Sequence, residues 1–154
     1  MKLITSFCFL LTLSAACSED VDPESLSVSI LDYETWDKME PLLGPVPGHG
    51  ESYRLVYRNE LARSYTGAGE YPLGSAVVKE IYALGGQGEP GKLRYKAVMR
   101  RMDSGADENQ GLPITGGWLF TQIDSGTEEF QRDLCWDSCH KSAPFLGAFL
   151  DHGY

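Results

Sequence analysis

Positive charge is in short supply in this chain. Its 13 lysines and arginines face 22 aspartates and glutamates, a formal net charge of −9, and nowhere do they gather into a basic patch. A surface of that balance repels nucleic acid and anionic lipid, so neither is expected as a partner. Cysteine and histidine are scarce too, at four and three residues. Internal repeats and low-complexity tracts are absent. The one long apolar run lies at the N-terminus and is too short to span a bilayer. At 154 residues the chain can bury one real core and not two.

That apolar run, Leu3 to Leu13, follows Met1-Lys2 and ends in Ser14-Ala15-Ala16-Cys17. A positive start, an apolar stretch and small residues before a break make a secretory signal. The ending Ala15-Ala16-Cys17 also has the form of a bacterial lipobox, in which Cys17 takes the lipid and becomes the mature N-terminus. Plain cleavage near Ala16 is the alternative, because Ser14 stands where such boxes prefer a larger aliphatic residue. The expected organisation is a signal over 1–16, an acidic tether over 17–31 and a folded domain over 32–154. A lipid on Cys17 would tether the protein without a spanning helix. The expected location is the periplasm, with the anchor in the outer membrane. Loss of the signal removes Lys2 and leaves 12 positive against 22 negative residues, which serves solubility.

Cys8 departs with the signal and Cys17 is the lipid site, so Cys135 and Cys139 are the thiols of the folded body. They stand in Cys135-Trp136-Asp137-Ser138-Cys139-His140. A cysteine pair followed at once by histidine is the attachment site of c-type haem, with the thiols on the porphyrin vinyl groups and the imidazole on the iron. The usual spacing places two residues between the cysteines, and this chain has three. The additional residue falls between the thiols, where it can bow outward without moving Cys139 or His140. In an oxidising compartment the alternative is a tight Cys135–Cys139 disulfide, which leaves His140 without a role. Zinc lacks a third and fourth ligand nearby.

Periodicity predicts the elements. A short amphipathic helix is expected from Asp32, carrying Tyr33, Trp36 and Met39 and ended by Pro41, before a Pro/Gly loop over 44–50. Ser52 to Arg58 alternates as a strand, and Asn59 to Tyr65 reads as a short helix. Ala76 to Leu84 and Leu93 to Met102 form a hairpin across the Gly-rich turn 85–91. Gly117 to Ile123 is a further strand. A helix carrying the cysteine pair and a final helix over 145–150 complete the chain. The expected fold is α+β, an antiparallel sheet of about four to five strands with short helices at the ends.

Several of these segments, in order, resemble the cytochrome P-460 family, which includes cytochrome c′-beta. They are Tyr33-Glu34-Thr35-Trp36, Tyr53-Arg54-Leu55-Val56-Tyr57, Tyr71-Pro72-Leu73-Gly74-Ser75-Ala76-Val77-Val78-Lys79-Glu80, Gly117-Trp118-Leu119-Phe120, and the Cys-Cys-His-Lys element ending at Lys141. The resemblance covers Tyr33 to His140. It implies a periplasmic monohaem c-type cytochrome, a homodimer built on an antiparallel sheet, with one covalent haem c per chain and a periplasmic electron-transfer partner. It places His140 as the iron ligand and Cys135 and Cys139 as the thioether cysteines. Lys79 falls at the lysine that the P-460 branch joins to the porphyrin edge, and Arg54 at a distal-pocket arginine. The P-460 branch oxidises hydroxylamine, with Arg54 and Lys79 in the catalytic pocket. The c′-beta branch lacks the crosslink and binds nitric oxide. The strand Tyr95-Lys96-Ala97-Val98-Met99-Arg100 carries no carboxylate where the P-460 branch has a distal acid.

Each of these residues also has a plainer role open to it. Lys79 can lie solvated beside Glu80, with Val78, Tyr82 and Leu84 facing the core. Arg54 can pair with an acid on the surface. His49 reads as an exposed loop residue and His152 as part of a frayed terminus. Trp36, Trp118 and Phe120 are core aromatics first. The functional classes in play are therefore a hydroxylamine-oxidising enzyme, a gas-binding or electron-transfer cytochrome, and a haem-free binding lipoprotein with a Cys135–Cys139 disulfide.

Overall fold

Alternation of apolar and polar residues governs the body of the chain, and the computed structural model turns it into one meandering antiparallel sheet. The structure describes residues 28–103, 111–145 and 147–148. The signal, Cys17, most of the tether and His152 lie outside the described residues. The elements are β1 (Asp37–Lys38), β2 (Leu42–Val46), β3 (Gly50–Arg58), α1 (Glu60–Ser64), β4 (Ala76–Leu84), β5 (Pro90–Arg101), β6 (Trp118–Asp124) and β7 (Thr127–Phe130). From β2 to β7 each strand pairs antiparallel with the next, and β1 extends the line of β2 along the outer side of β3. Sequential pairing of this kind needs only short connections.

This architecture corrects the α+β expectation. The sheet has seven strands, and the helical content is a five-residue α1 and a few single turns. The segment expected to be a helix from Asp32 is one 3-10 turn, Tyr33–Thr35, followed directly by β1. The Pro/Gly loop is largely β2 and its hairpin turn, since Pro45 sits on an outer strand that can spare an N–H. The expected C-terminal haem-attachment helix is absent. Ser125 and Gly126, both at positive φ (51° and 91°), make the two-residue turn that folds β7 back onto β6. Past β7 the cysteines ride on a widely wound π-type turn, Arg132–Asp137, and a 3-10 turn, His140–Ser142. Of the final helix expected over 145–150, Phe145 and Ala148 instead form an isolated bridge, and the remainder lies outside the described residues.

The sheet has two differently used faces. On the rear, Tyr33, Leu55, Tyr57, Val78 and Val98 are buried together under the N-terminal segment. Glu80 is buried there too, accepting hydrogen bonds from the hydroxyls of Tyr33 (2.6 Å), Tyr82 (2.9 Å) and Tyr57 (3.3 Å). Nearby, Arg100 pairs with Glu128 at 2.7 Å, and Thr121 donates to the same carboxylate. On the front, one cluster holds Tyr65, Tyr71, Trp118, Phe120 and Ala148, and another Val56, Ala62 and Val77. Asn59 pins the front cover. Its Oδ1 accepts from the amides of Ala62 (2.9 Å) and Ala76 (3.0 Å), capping α1 and gripping β4, while its Nδ2 donates to the Gly74 carbonyl (2.8 Å).

Candidate functional site

Strand alternation decides which side chains meet at the front. Lys79 lies opposite Val56 on β3 and Ala97 on β5, so it shares a face with Val77 and Ile81, while Glu80 goes to the rear. Across the sheet the same face carries Tyr95, Ala97 and Met99 of β5 and Phe120 of β6. The C-terminal turns fold over this face and bring Cys135, Cys139 and His140 to it. The β2–β3 hairpin brings His49 from the other side. Between them lies a cleft of about 670 Å³, mouth included, whose walls include Lys79, Met99, Phe120, Cys135 and His140. A second pocket of about 460 Å³, also lined by Cys139 and Tyr95, adjoins it. His49, Ala97, Cys135 and His140 line both.

The three residues between the cysteines bow out. Asp137 and Ser138 are exposed, whereas Cys135 and Cys139 are half-buried thiols not joined to each other. Trp136 folds back at 6.0 Å from Phe120. Its ring fills the space where a Cβ at Gly116 or Gly147 would collide, and both glycines sit at positive φ. Burial pushes the Cys135 thiol up to about 11, against the pull of Lys79 and together with Cys139.

His140 lies 4.9 Å from the Phe120 ring, and its Nδ1 is 2.8 Å from the Gly147 carbonyl. A carbonyl can only accept, so the proton sits on Nδ1 and the neutral ring carries its lone pair on Nε2. Burial lowers its pKa, the Gly147 bond opposes that, and Lys79 lowers it further. This is the tautomer a metal-bound imidazole requires, with the Gly147 oxygen fixing the ring.

Lys79 is 8% exposed, and its ammonium makes no hydrogen bond or ion pair among the described residues. Burial first, then the Arg54 charge, lowers its pKa to about 8, while the two thiols partly offset this. A neutral amine is thus accessible near physiological pH, which gives it nucleophilic character. The surface-solvated alternative for Lys79 is not what the structure has.

Arg54 is buried at 3% exposure on the front face but does not line either pocket. Its Nη1 donates to the Gly44 carbonyl (2.7 Å) and to Ser52 Oγ (3.0 Å), bracing the hairpin that carries His49. His49, read from sequence as exposed, is half-buried, with Nδ1 3.0 Å from the Tyr95 hydroxyl. Burial chiefly, then Lys79, Arg54 and His140, lowers its pKa to about 3, so the ring is neutral. The β5 alternation puts Tyr95 on the face of Ala97 and Met99 and was a usable signal. His49 in its Pro/Gly loop had none.

The chemistry available is that of two thiols, one oriented imidazole and an unpartnered amine around a largely apolar space. No aspartate or glutamate is among the described residues that line it. Among the described residues no group of three or more His, Cys, Asp or Glu is placed to hold a bare metal ion. A planar cofactor held by thioether bonds and one axial imidazole needs no such group, and the residues present fit it. No helix among the described residues is long and apolar enough to cross a membrane. Comparison with models of known protein families and with curated proteins finds no match.

Proposed function

We propose that this chain is an exported monohaem c-type cytochrome of the P-460 and c′-beta kind, which binds a small nitrogen ligand such as nitric oxide or hydroxylamine. One observation carries the reading: Cys135 and His140 line the cleft that holds the buried Lys79, which has no hydrogen bond or ion pair among the described residues, and with Cys139 they line the pocket adjoining it. Haem c would supply an iron for chemistry with a small ligand. The chain's own residues do the rest. Cys135 and Cys139 hold the cofactor by thioether bonds, His140 ligates through Nε2 with Gly147 fixing its ring, and Phe120, Met99 and Ala97 exclude water. A lipid on Cys17 would tether the protein in the periplasm, where an electron-transfer partner would exchange electrons with it. The test is a pyridine haemochrome spectrum of the full chain produced with c-type haem-attachment machinery. A spectrum without covalent haem sinks the proposal and leaves the haem-free lipoprotein.

A second reading, oxidation of hydroxylamine, is supported by Lys79, a buried amine lining the same cleft as Cys135 and His140. Against it, the described cleft walls supply no carboxylate to remove protons. An intact mass lower than chain plus haem by the hydrogens lost in a lysine crosslink, together with reduction of an electron acceptor on adding hydroxylamine, would establish it. Neither result leaves ligand binding.

A further inference from the structure

The cleft has a second histidine that no part of the foregoing function uses. His49 lines both pockets, as His140 does. Its Nδ1 is committed to the Tyr95 hydroxyl at 3.0 Å, with the rings 6.2 Å apart, and its Nε2 makes no hydrogen bond among the described residues. The loop holding it is built for position. Val46 pairs with Gly50 across the turn, the His49 amide donates to the Val46 carbonyl (3.2 Å), and Gly48 and Gly50 take positive φ (79° and 61°). Arg54 anchors the strand below it through the Gly44 carbonyl, so a buried cation is used to hold a hairpin in place. An imidazole fixed at one nitrogen and presenting the other to a cleft without carboxylates is placed to hydrogen-bond a small polar ligand.

We propose that His49 is the cleft residue that contacts the small ligand, with the Tyr95 O–H donating to Nδ1 so that Nε2–H donates to the bound small molecule. The proposal rests on the cofactor reading above. Tyr95 and Arg54 are positioning residues, the first setting the tautomer and the second the hairpin. A neutral ring in this tautomer is a donor to an anionic or polar ligand atom.

The experiment uses the haem-loaded full chain in its ferrous form with carbon monoxide as probe, because the C–O stretch falls when the ligand oxygen accepts a hydrogen bond. His49→Leu is expected to raise the stretch and to speed carbon monoxide release by roughly two- to tenfold, as loss of one net hydrogen bond predicts. Tyr95→Phe keeps the imidazole but frees its tautomer, so the band should split, with one component at the position of the His49→Leu band. If His49→Leu does not load haem for want of folding, the Tyr95→Phe band alone decides. An unshifted band in a loaded variant overturns the proposal and leaves the cytochrome reading standing. So does a wild-type ferrous spectrum that is six-coordinate and becomes five-coordinate in His49→Leu, since His49 would then be an axial ligand itself. Absence of covalent haem by haemochrome overturns the reading and this proposal together.

Discussion

Replacing Lys79 with methionine should stabilise the haem-free chain. The ammonium is buried at 8% exposure with no anion beside it among the described residues, and burial with Arg54 lowers its pKa from 10.5 to about 8. A shift of that size corresponds to about 3 kcal/mol of disfavoured charge. The sign follows from proton counting. Between about pH 8 and pH 10.5 the unfolded chain holds the Lys79 proton and the folded chain does not, so stability rises with pH through that window. Below pH 8 both states are protonated and the full penalty stands; above pH 10.5 it is gone. Methionine fills a similar volume without a charge, so the variant should gain about 3 kcal/mol at pH 7, or about 6–12 °C in Tm for a chain of this size. Cys135, with its thiol pushed up to about 11, contributes a slope of the opposite sign at higher pH. The informative quantity is therefore the difference between wild type and variant, from urea titrations at pH 7, 9 and 10.5. That difference should be largest at pH 7 and shrink as pH rises. A variant that is less stable at pH 7, or a difference that does not change with pH, would refute the account of an unpaired buried ammonium.

Three further outcomes follow from the packing. Arg100→Ala strands the Glu128 carboxylate, with the pair 1% and 8% exposed, and should cost about 3–5 kcal/mol in denaturant unfolding. Asn59→Ala removes the cap of α1 and the grip on Ala76 and Gly74 together, an expected loss of about 1–3 kcal/mol by the same assay. Gly147→Ala adds a methyl group 2.6 Å from the Trp136 ring at a residue with φ of 87°, and the carbonyl of Gly147 orients His140. It should destabilise by about 1–3 kcal/mol and shift the His140 ring resonances in NMR spectra, whereas a change confined to stability would mean that the carbonyl does not hold the ring.

Local pattern made the central strands readable. Ala76–Leu84 is rich in β-branched residues and bounded by turns, and β4 covers that span. Helix and strand were confused where the pattern was short or the turn chemistry passed unused. Tyr33, Trp36 and Met39 suit a helical stripe, yet β3 offers an edge at which Asp37 and Lys38 pair with Arg58 and Tyr57. Ser125-Gly126 is a two-residue hairpin signal, and it is this turn that creates β7 and completes the seven-stranded sheet. At the candidate site, Cys135, Cys139 and His140 are neighbours in sequence and were visible as a set. Lys79 was visible only as a lysine with both faces of its strand open to it. His49 carried no signal, because its partner Tyr95 lies 46 residues away.

The sequence by itself determined the chemistry on offer: two adjacent thiols and an imidazole, an acidic surface, and strands whose period of two separates Lys79 from Glu80. Only the tertiary structure decided which face is which and what meets there. The register Val56–Lys79–Ala97 buries an ammonium beside the thiols, sets Arg54 to brace the β2–β3 hairpin, and lets the Tyr95 hydroxyl capture His49. Alternation along one strand is a local steric property, readable from the residues themselves. Which strand lies beside it, and in what register, depends on the energy of the whole sheet, and no short stretch of residues contains that.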